Sequence, residues 1–170
     1  ESVTAKSKKK SNWKSFSFPG QTSRMSKMLV GWNGSRLVVK LKPNAGEGGY
    51  SLAKRVLVPE YRSLKTIKKY SKTRNLYKHR YITFPLKVIN GYIRSNALKA
   101  VFINDKSTKK YWQHHVTYKW ETTSMIAGLF TKKGIKSVNL VRFNKMRKNG
   151  NVLKIGEIIK IPWRWISPEL

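Results

Sequence analysis

The 170-residue chain reads as an α+β protein: two small βααβ modules joined by a partly helical connector, behind a basic N-terminal arm. Three observations carry that reading. Short β-branched runs bounded by Pro, Asn and Gly alternate with stretches whose apolar residues recur at helical spacing. The order strand, helix, helix, strand appears twice. A composition of 39% hydrophobic and 12% aromatic residues supplies a core, despite a formal charge of +30.

Residues 1–35 form the arm. Ser and Lys dominate it, Lys8-Lys9-Lys10 stand together, and Trp13, Phe16 and Phe18 interrupt the basic stretch. A mobile tail is the expectation, with docking through those aromatic residues as the alternative. Residues 36–90 form the first module. Leu37-Val38-Val39 with Leu41 reads as a strand, closed by Pro43-Asn44 and the turn-prone Gly46-Glu47-Gly48-Gly49. Leu52, Ala53, Val56 and Leu57 follow at helical spacing until Pro59 stops them. Tyr61, Leu64 and Ile67 predict a second helix ending near Tyr70-Ser71, and a polar stretch leads to the strand Tyr81-Ile82-Thr83-Phe84-Pro85.

Residues 91–113 form the connector. Tyr92, Ile93, Leu98, Val101 and Phe102 suit one amphipathic helix or two short ones, too apolar for a free linker. The modules are expected to pack around it in a fixed orientation. Residues 114–170 hold the second module and a Trp-rich C-terminal extension. Val116-Thr117-Tyr118 is strand-like. A Thr of the pair Thr122-Thr123 caps a helix carrying Ile126, Ala127, Leu129 and Phe130, with Glu121 at the positive end of its dipole. Gly134 ends that helix. Ser137 caps the next, whose Val138, Leu140, Val141 and Phe143 run to Asn144, and Ile158-Ile159-Lys160-Ile161-Pro162 is the last strand.

The two modules are copies. Leu52-Ala53 returns as Ile126-Ala127, 74 residues later, and Ile82-Thr83-Phe84-Pro85 returns as Ile159-Lys160-Ile161-Pro162, 77 residues later. Two landmarks at nearly one offset mark an internal duplication.

The balance of 37 basic to 7 acidic residues makes an anionic partner the first expectation. Of the basic residues 27 are Lys and 10 are Arg, spread along the chain, whereas nucleic-acid readers lean on Arg. Nucleic acid is therefore the disfavoured partner, and a solvated Lys coat adhering to an anionic bacterial wall fits equally well. No run approaches the roughly 18 apolar residues of a membrane span. The absence of Cys excludes disulfides, thiol nucleophiles and Cys-ligated zinc. A start at Glu1, without methionine or an apolar leader, reads as a processed or trimmed product.

Catalysis is not expected. The acid–base inventory is one Asp, six Glu and three His. Glycoside hydrolysis wants two carboxylates flanking one bond, but Glu121 and Glu157 lie at opposite ends of one module and Glu47 in the other. His114-His115 lacks the i, i+4 spacing of a zinc pair; on a strand the two point to opposite faces, one of them inward. There is no Gly-x-Ser-x-Gly elbow and no phosphate loop, so neither cofactor nor metal is expected. Trp112, Trp120, Trp163 and Trp165 gather around the second module, for sugar stacking or for core and intermodule packing.

Val116, then Trp120-Glu121-Thr122-Thr123, Ile126-Ala127, Asn139-Leu140-Val141-Arg142-Phe143-Asn144-Lys145-Met146 and Ile155-Gly156-Glu157-Ile158-Ile159-Lys160-Ile161-Pro162 resemble a lysin motif (LysM) domain. That family carries a Gly-Asp-Thr-Leu turn, an Ile-Ala helix, a helix-ending Asn and a final Gly-x-x-Ile-x-Ile-Pro strand. Trp120 stands where the turn glycine is usual, and Thr123 where leucine is usual. The first module is a more diverged relative. Its Glu47-Gly48-Gly49-Tyr50-Ser51-Leu52-Ala53 fits the turn and first helix, Ser71 replaces the helix-ending Asn, and His79 replaces the glycine before the last strand.

The resemblance implies binding of N-acetylglucosamine-containing glycans, peptidoglycan or chitin, in a shallow groove between two loops of each module. In module two it places Glu121, Thr122 and Thr123 on one wall and Asn144, Lys145, Met146 and Arg147 on the other. In module one the walls are Gly48, Gly49 and Tyr50, and Ser71, Lys72 and Thr73. Each has a structural role as its alternative: Thr122 and Thr123 as caps, Asn144 as a helix end, Tyr50 and Met146 as core. Two weak grooves on one rigid piece would gain through effective concentration. The expected protein is a non-catalytic peptidoglycan-binding component of the bacterial envelope, periplasmic or extracellular, similar to the wall-binding part of peptidoglycan hydrolases. The alternatives are an envelope scaffold whose LysM folds bind protein partners, and a basic nucleic-acid-binding protein.

Overall fold

A computed structural model describes residues 12–17, 21, 27–73, 75–77, 80–147 and 153–170. Lys8-Lys9-Lys10, Phe18 and His79 lie outside the described residues. The architecture is mixed α+β, with two small antiparallel sheets and five α-helices among the described residues.

The first sheet has the order β1-β2-β3-β4, with β1 at Lys14–Phe16, β2 at Met28–Asn33, β3 at Arg36–Leu41 and β4 at Ile82–Pro85. Here the expected arm is corrected, because β1 and β2 are strands of the module. Met28, Val30 and Trp32 alternate onto the buried face of β2, so this segment cannot leave the sheet without exposing them. Gly34 and Ser35 close the β2–β3 hairpin, and Gly34 supplies the positive φ of 60° that a two-residue loop requires.

Between β3 and β4 lie α1 (Gly49–Val56) and α2 (Leu64–Ser71). Leu52, Ala53 and Val56 of α1 and Ile67 of α2 turn inward onto Leu37, Val39, Leu41 and Phe84 of the sheet. The Ser63 hydroxyl accepts the Thr66 N–H and starts α2, while Lys72 ends it in the left-handed conformation.

The second sheet has the order β5-β6-β7, with β5 at Lys106–Ser107, β6 at Tyr111–His115 and β7 at Ile158–Pro162. The strand expected at Val116-Thr117-Tyr118 is thus corrected to Tyr111–His115, which ends just before Val116. The Thr117 and Tyr118 N–H groups donate to the Glu121 carboxylate instead of a ladder, which turns the chain. Between β6 and β7 lie α4 (Thr123–Phe130), capped by the Thr122 hydroxyl, and α5 (Ser137–Phe143). Ser137 is the first helical residue of α5 and not its cap; the Lys136 N–H donates to the Asn139 side chain.

The repetition extends to individual backbone hydrogen bonds. After β4 a single turn at Leu86–Val88 leads to a bridge between Ile89 and Leu57, and after β7 a turn at Trp163–Trp165 leads to one between Ile166 and Thr131. Val58 N–H donates to Val88 O as Lys132 N–H does to Trp165 O, and Asn90 N–H donates to Val56 O as Ser167 N–H does to Phe130 O. Every pair keeps the offsets of 74 and 77 found in the sequence.

Of the expected connector 91–113 only Gly91–Val101 is the linking helix, α3. Lys106–Ser107 and Tyr111 onward are corrected to strands β5 and β6 of the second sheet, because their backbones pair there. Asn90 starts it by accepting the Ile93 N–H and also donates to Arg55 O, at 3.0 and 2.8 Å, tying the connector to the end of α1. Helix α3 lies against β1 and β2. Trp32 of β2 meets Phe102, Tyr118 and Trp120 edge-on at ring separations of 6.4, 5.0 and 5.5 Å, so the two modules share one hydrophobic core.

Candidate functional site

The turn that precedes α4 is built on a buried carboxylate. Glu121 is only 1% exposed; its Oε1 accepts the Thr117 and Tyr118 N–H groups at 2.8 and 2.7 Å, and its Oε2 meets His114 Nε2 at 2.6 Å. On the other edge of the ring, His114 Nδ1 lies 2.9 Å from Asp105 Oδ2. Asp105 also accepts the Trp112 indole N–H and the His115 backbone N–H, each at 2.9 Å. Burial is the largest single influence on His114 and opposes its charge, but the hydrogen bonds and charges of Asp105 and Glu121 together outweigh it and raise its pKa above 6.5. An imidazolium donating from both nitrogens fits this geometry. Both nitrogens are engaged, and no metal-holding group of His, Asp and Glu occurs among the described residues.

Module one solves the same problem with a different cation. Glu47 stands 74 residues before Glu121; its Oε2 accepts the Asn44 N–H at 2.9 Å, and Arg55 of α1 grips both carboxylate oxygens at 2.7 and 2.8 Å. At the strand position of His114, which pairs with Ile159, module one has Leu41, which pairs with Ile82. Each glutamate therefore holds its turn from within.

This revises the expected walls. Glu121 and Thr123 are buried, so neither side chain lines an open groove. Thr122 is half-buried, and its hydroxyl is engaged as the α4 cap. Asn144 ties α5 to β7: its amide donates to Leu140 O and Lys160 O and accepts the Lys160 N–H, at 2.9, 2.9 and 2.8 Å. That is its structural alternative, realised in full. Lys145 and Arg147 are exposed, and Met146 is half-buried against the core.

In module one, Gly48 is exposed and Tyr50 is 59% exposed, with the Lys54 ammonium 5.7 Å from its ring centre. Gly49 faces Leu64 and Leu76, so the α2–β4 loop does reach the turn before α1, and a Cβ at Gly49 would lie 3.0 Å from Leu64. Ser71 and Thr73 bond within their own loop, the Ser71 hydroxyl to Thr73 O and the Thr73 hydroxyl to Asn75 O. Lys72 is exposed. Loops from the two expected walls thus meet in module one, and among the expected wall residues with side chains Tyr50 and Lys72 are the exposed ones.

The sequence reading missed Asp105. Its signal was present: it is the one Asp of a chain with 37 basic residues, close in sequence to an aromatic strand. No helix among the described residues is long and apolar enough to cross a membrane. Comparison with family models, with curated proteins and with solved structures finds no match for this chain.

Proposed function

We propose that this protein binds N-acetylglucosamine-containing glycan strands of peptidoglycan without catalysis, through two diverged LysM modules, in the bacterial envelope. The observation that supports this reading is the duplicated strand–helix–helix–strand unit whose sequence landmarks and closing hydrogen bonds recur together. In each copy the loops on either side of the helix pair are the family's glycan-facing segments. With Glu121, Thr123 and Asn144 assigned to structure, contact falls to backbone N–H and C=O groups of the turns, to the apolar surfaces of Tyr50 and Met146, and to Lys72, Lys145 and Arg147. A small apolar surface flanked by hydrogen-bonding groups suits an acetamido sugar. The targeting part of a wall hydrolase is the role this gives the chain.

The test is co-sedimentation with purified peptidoglycan sacculi across a salt series, with soluble N-acetylglucosamine oligomers as competitor. Binding that persists at high salt and yields to the oligomers supports the reading. Tyr50→Ala, which exchanges an exposed ring, is then expected to weaken it by roughly three- to tenfold, the size of one aromatic contact. Binding that vanishes with salt and ignores the oligomers rejects it. One observation favours a second reading, an envelope scaffold that docks proteins: three of the expected wall side chains are spent inside the fold. That reading gains if the oligomers fail at every salt concentration.

A further inference from the structure

The face of the first sheet that points away from the core is built as a cationic cleft. Gly31 of β2, Arg36, Val38 and Lys40 of β3, and Thr83 of β4 share this face by their register. A Cβ at Gly31 would come within 2.7 Å of the Trp13 ring, so the missing side chain is what lets that indole settle on the sheet. Between this face and the C-terminal turn of α2 opens a cleft of about 670 Å³. Arg36 and Lys40 line it from the sheet, Lys69 and Lys72 from α2, and no Asp or Glu lines it. None of these four cations is in an ion pair among the described residues.

The aromatic residues of the cleft decide what kind of anion fits. The Lys40 ammonium lies 3.9 Å from the Trp13 ring centre, Lys69 5.5 Å from Tyr70, and Lys42 4.6 Å from Tyr81. The rings therefore serve to hold lysines in place. Sites for single-stranded nucleic acid work the other way, offering open aromatic faces on which bases stack. Three of the four lining cations are lysines, point charges without the planar fork that reads bases. Three lysine point charges and one arginine, two of the lysines held against rings and none facing an open stacking platform, match a chain of phosphates linked by non-planar units. We propose that this cleft binds a phosphodiester-linked polyol or sugar polymer. The site lies on a different surface from the glycan-facing turns, touching them only at Ser71 and Lys72, and does not depend on the glycan reading.

A net charge of +30 attracts any polyanion, so the test compares charge loss at two places. A fluorescently labelled glycerol-phosphate oligomer is titrated into the full chain, by anisotropy, at several salt concentrations. The cleft variant Arg36→Gln/Lys40→Gln is set against Lys132→Gln/Lys133→Gln, an equal charge loss at exposed residues after α4. The cleft pair is expected to weaken binding by about tenfold and to flatten the log K against log salt slope by about 1 to 2, roughly one for each phosphate left without its cation. The control pair is expected to change affinity less than about twofold. Equal weakening by both pairs would overturn the proposal, because the charge would then act diffusely. A single-stranded DNA of equal charge that binds more tightly, and loses affinity in the same cleft variant, would overturn it in favour of nucleic acid. Thermal melting of each variant confirms that it is folded.

Discussion

His114 sits between two carboxylates, with no exposed surface, and its charge is what allows Asp105 and Glu121 to be buried there. Its pKa in the folded chain is raised above the ordinary 6.5. The imidazolium therefore contributes its full stability below pH 6.5, and that contribution is lost as the pH rises through the folded value. Melting temperatures measured from about pH 5 to about pH 9 are expected to fall across that window. His114→Leu should remove this dependence. Leucine fits the strand, since Leu41 occupies the matching place in module one, but there Arg55 serves the glutamate. In module two the replacement strands two buried carboxylates, at a cost of about 3–5 kcal/mol in chemical denaturation. Adding Asp105→Asn and Glu121→Gln to His114→Leu should recover part of that loss; no recovery would mean that shape and not charge governs the site. Gly31 makes a second demand at this scale. Gly31→Ala pushes a methyl into the Trp13 ring, and a destabilisation of about 1–3 kcal/mol is expected.

The helices and closing strands were legible because their apolar residues repeat at the spacing of the element they form. Leu52, Ala53 and Val56 all face inward, and the Ile-x-Ile-Pro strand alternates as written. The β2 strand was not, because Gly31, Asn33 and Gly34 dilute its alternation and the surrounding Lys and Ser mimic a tail. A Gly-Ser pair between two apolar runs was the signal for its hairpin. The residues expected on the groove walls were only partly legible. Sequence spacing puts Glu121 and Asn144 in loops, but cannot reveal that backbone N–H groups and an edge strand claim them first. Asn144 completes the open edge of β7 with two hydrogen bonds. Asn144→Ala should therefore cost about 1–3 kcal/mol of stability, whatever it does to glycan binding. Helix ends offer an independent check. Lys72 and Lys145 both end their helices at positive φ, 59° and 52°, a conformation unfavourable for a residue with a Cβ. Lys145→Gly relieves it and is expected to stabilise the chain by about 0.5–1 kcal/mol, read as a higher midpoint in denaturant. No change in midpoint would mean that the lysine stem recovers the cost through packing.

At the scale of the whole molecule, the question is whether the duplicated modules unfold together. Their sheets do not join, and the coupling runs through α3 and through the rings of Trp32, Phe102, Tyr118 and Trp120. Trp32 belongs to the first sheet, while Tyr118 and Trp120 belong to the turn held by Glu121, so the aromatic cluster links the sheet of one module to the turn of the other. This makes Trp32 the residue whose loss should separate the modules most cleanly. Trp32→Ala leaves a large cavity at the contact and is expected to cost about 3–5 kcal/mol. It should also divide one calorimetric transition into two, because each module retains its own helix pair and sheet. The indole N–H of Trp32 has no hydrogen-bond partner among the described residues, so Trp32→Phe keeps the ring contacts without losing a bond and should preserve the single transition. If Trp32→Ala still melts in one step, α3 alone couples the modules. If the wild-type chain already melts in two, the shared core does not make them cooperative. Only a single transition that divides in Trp32→Ala and survives in Trp32→Phe assigns the coupling to the ring cluster, and with it the fixed orientation of the modules that the proposed two-groove binding would draw on.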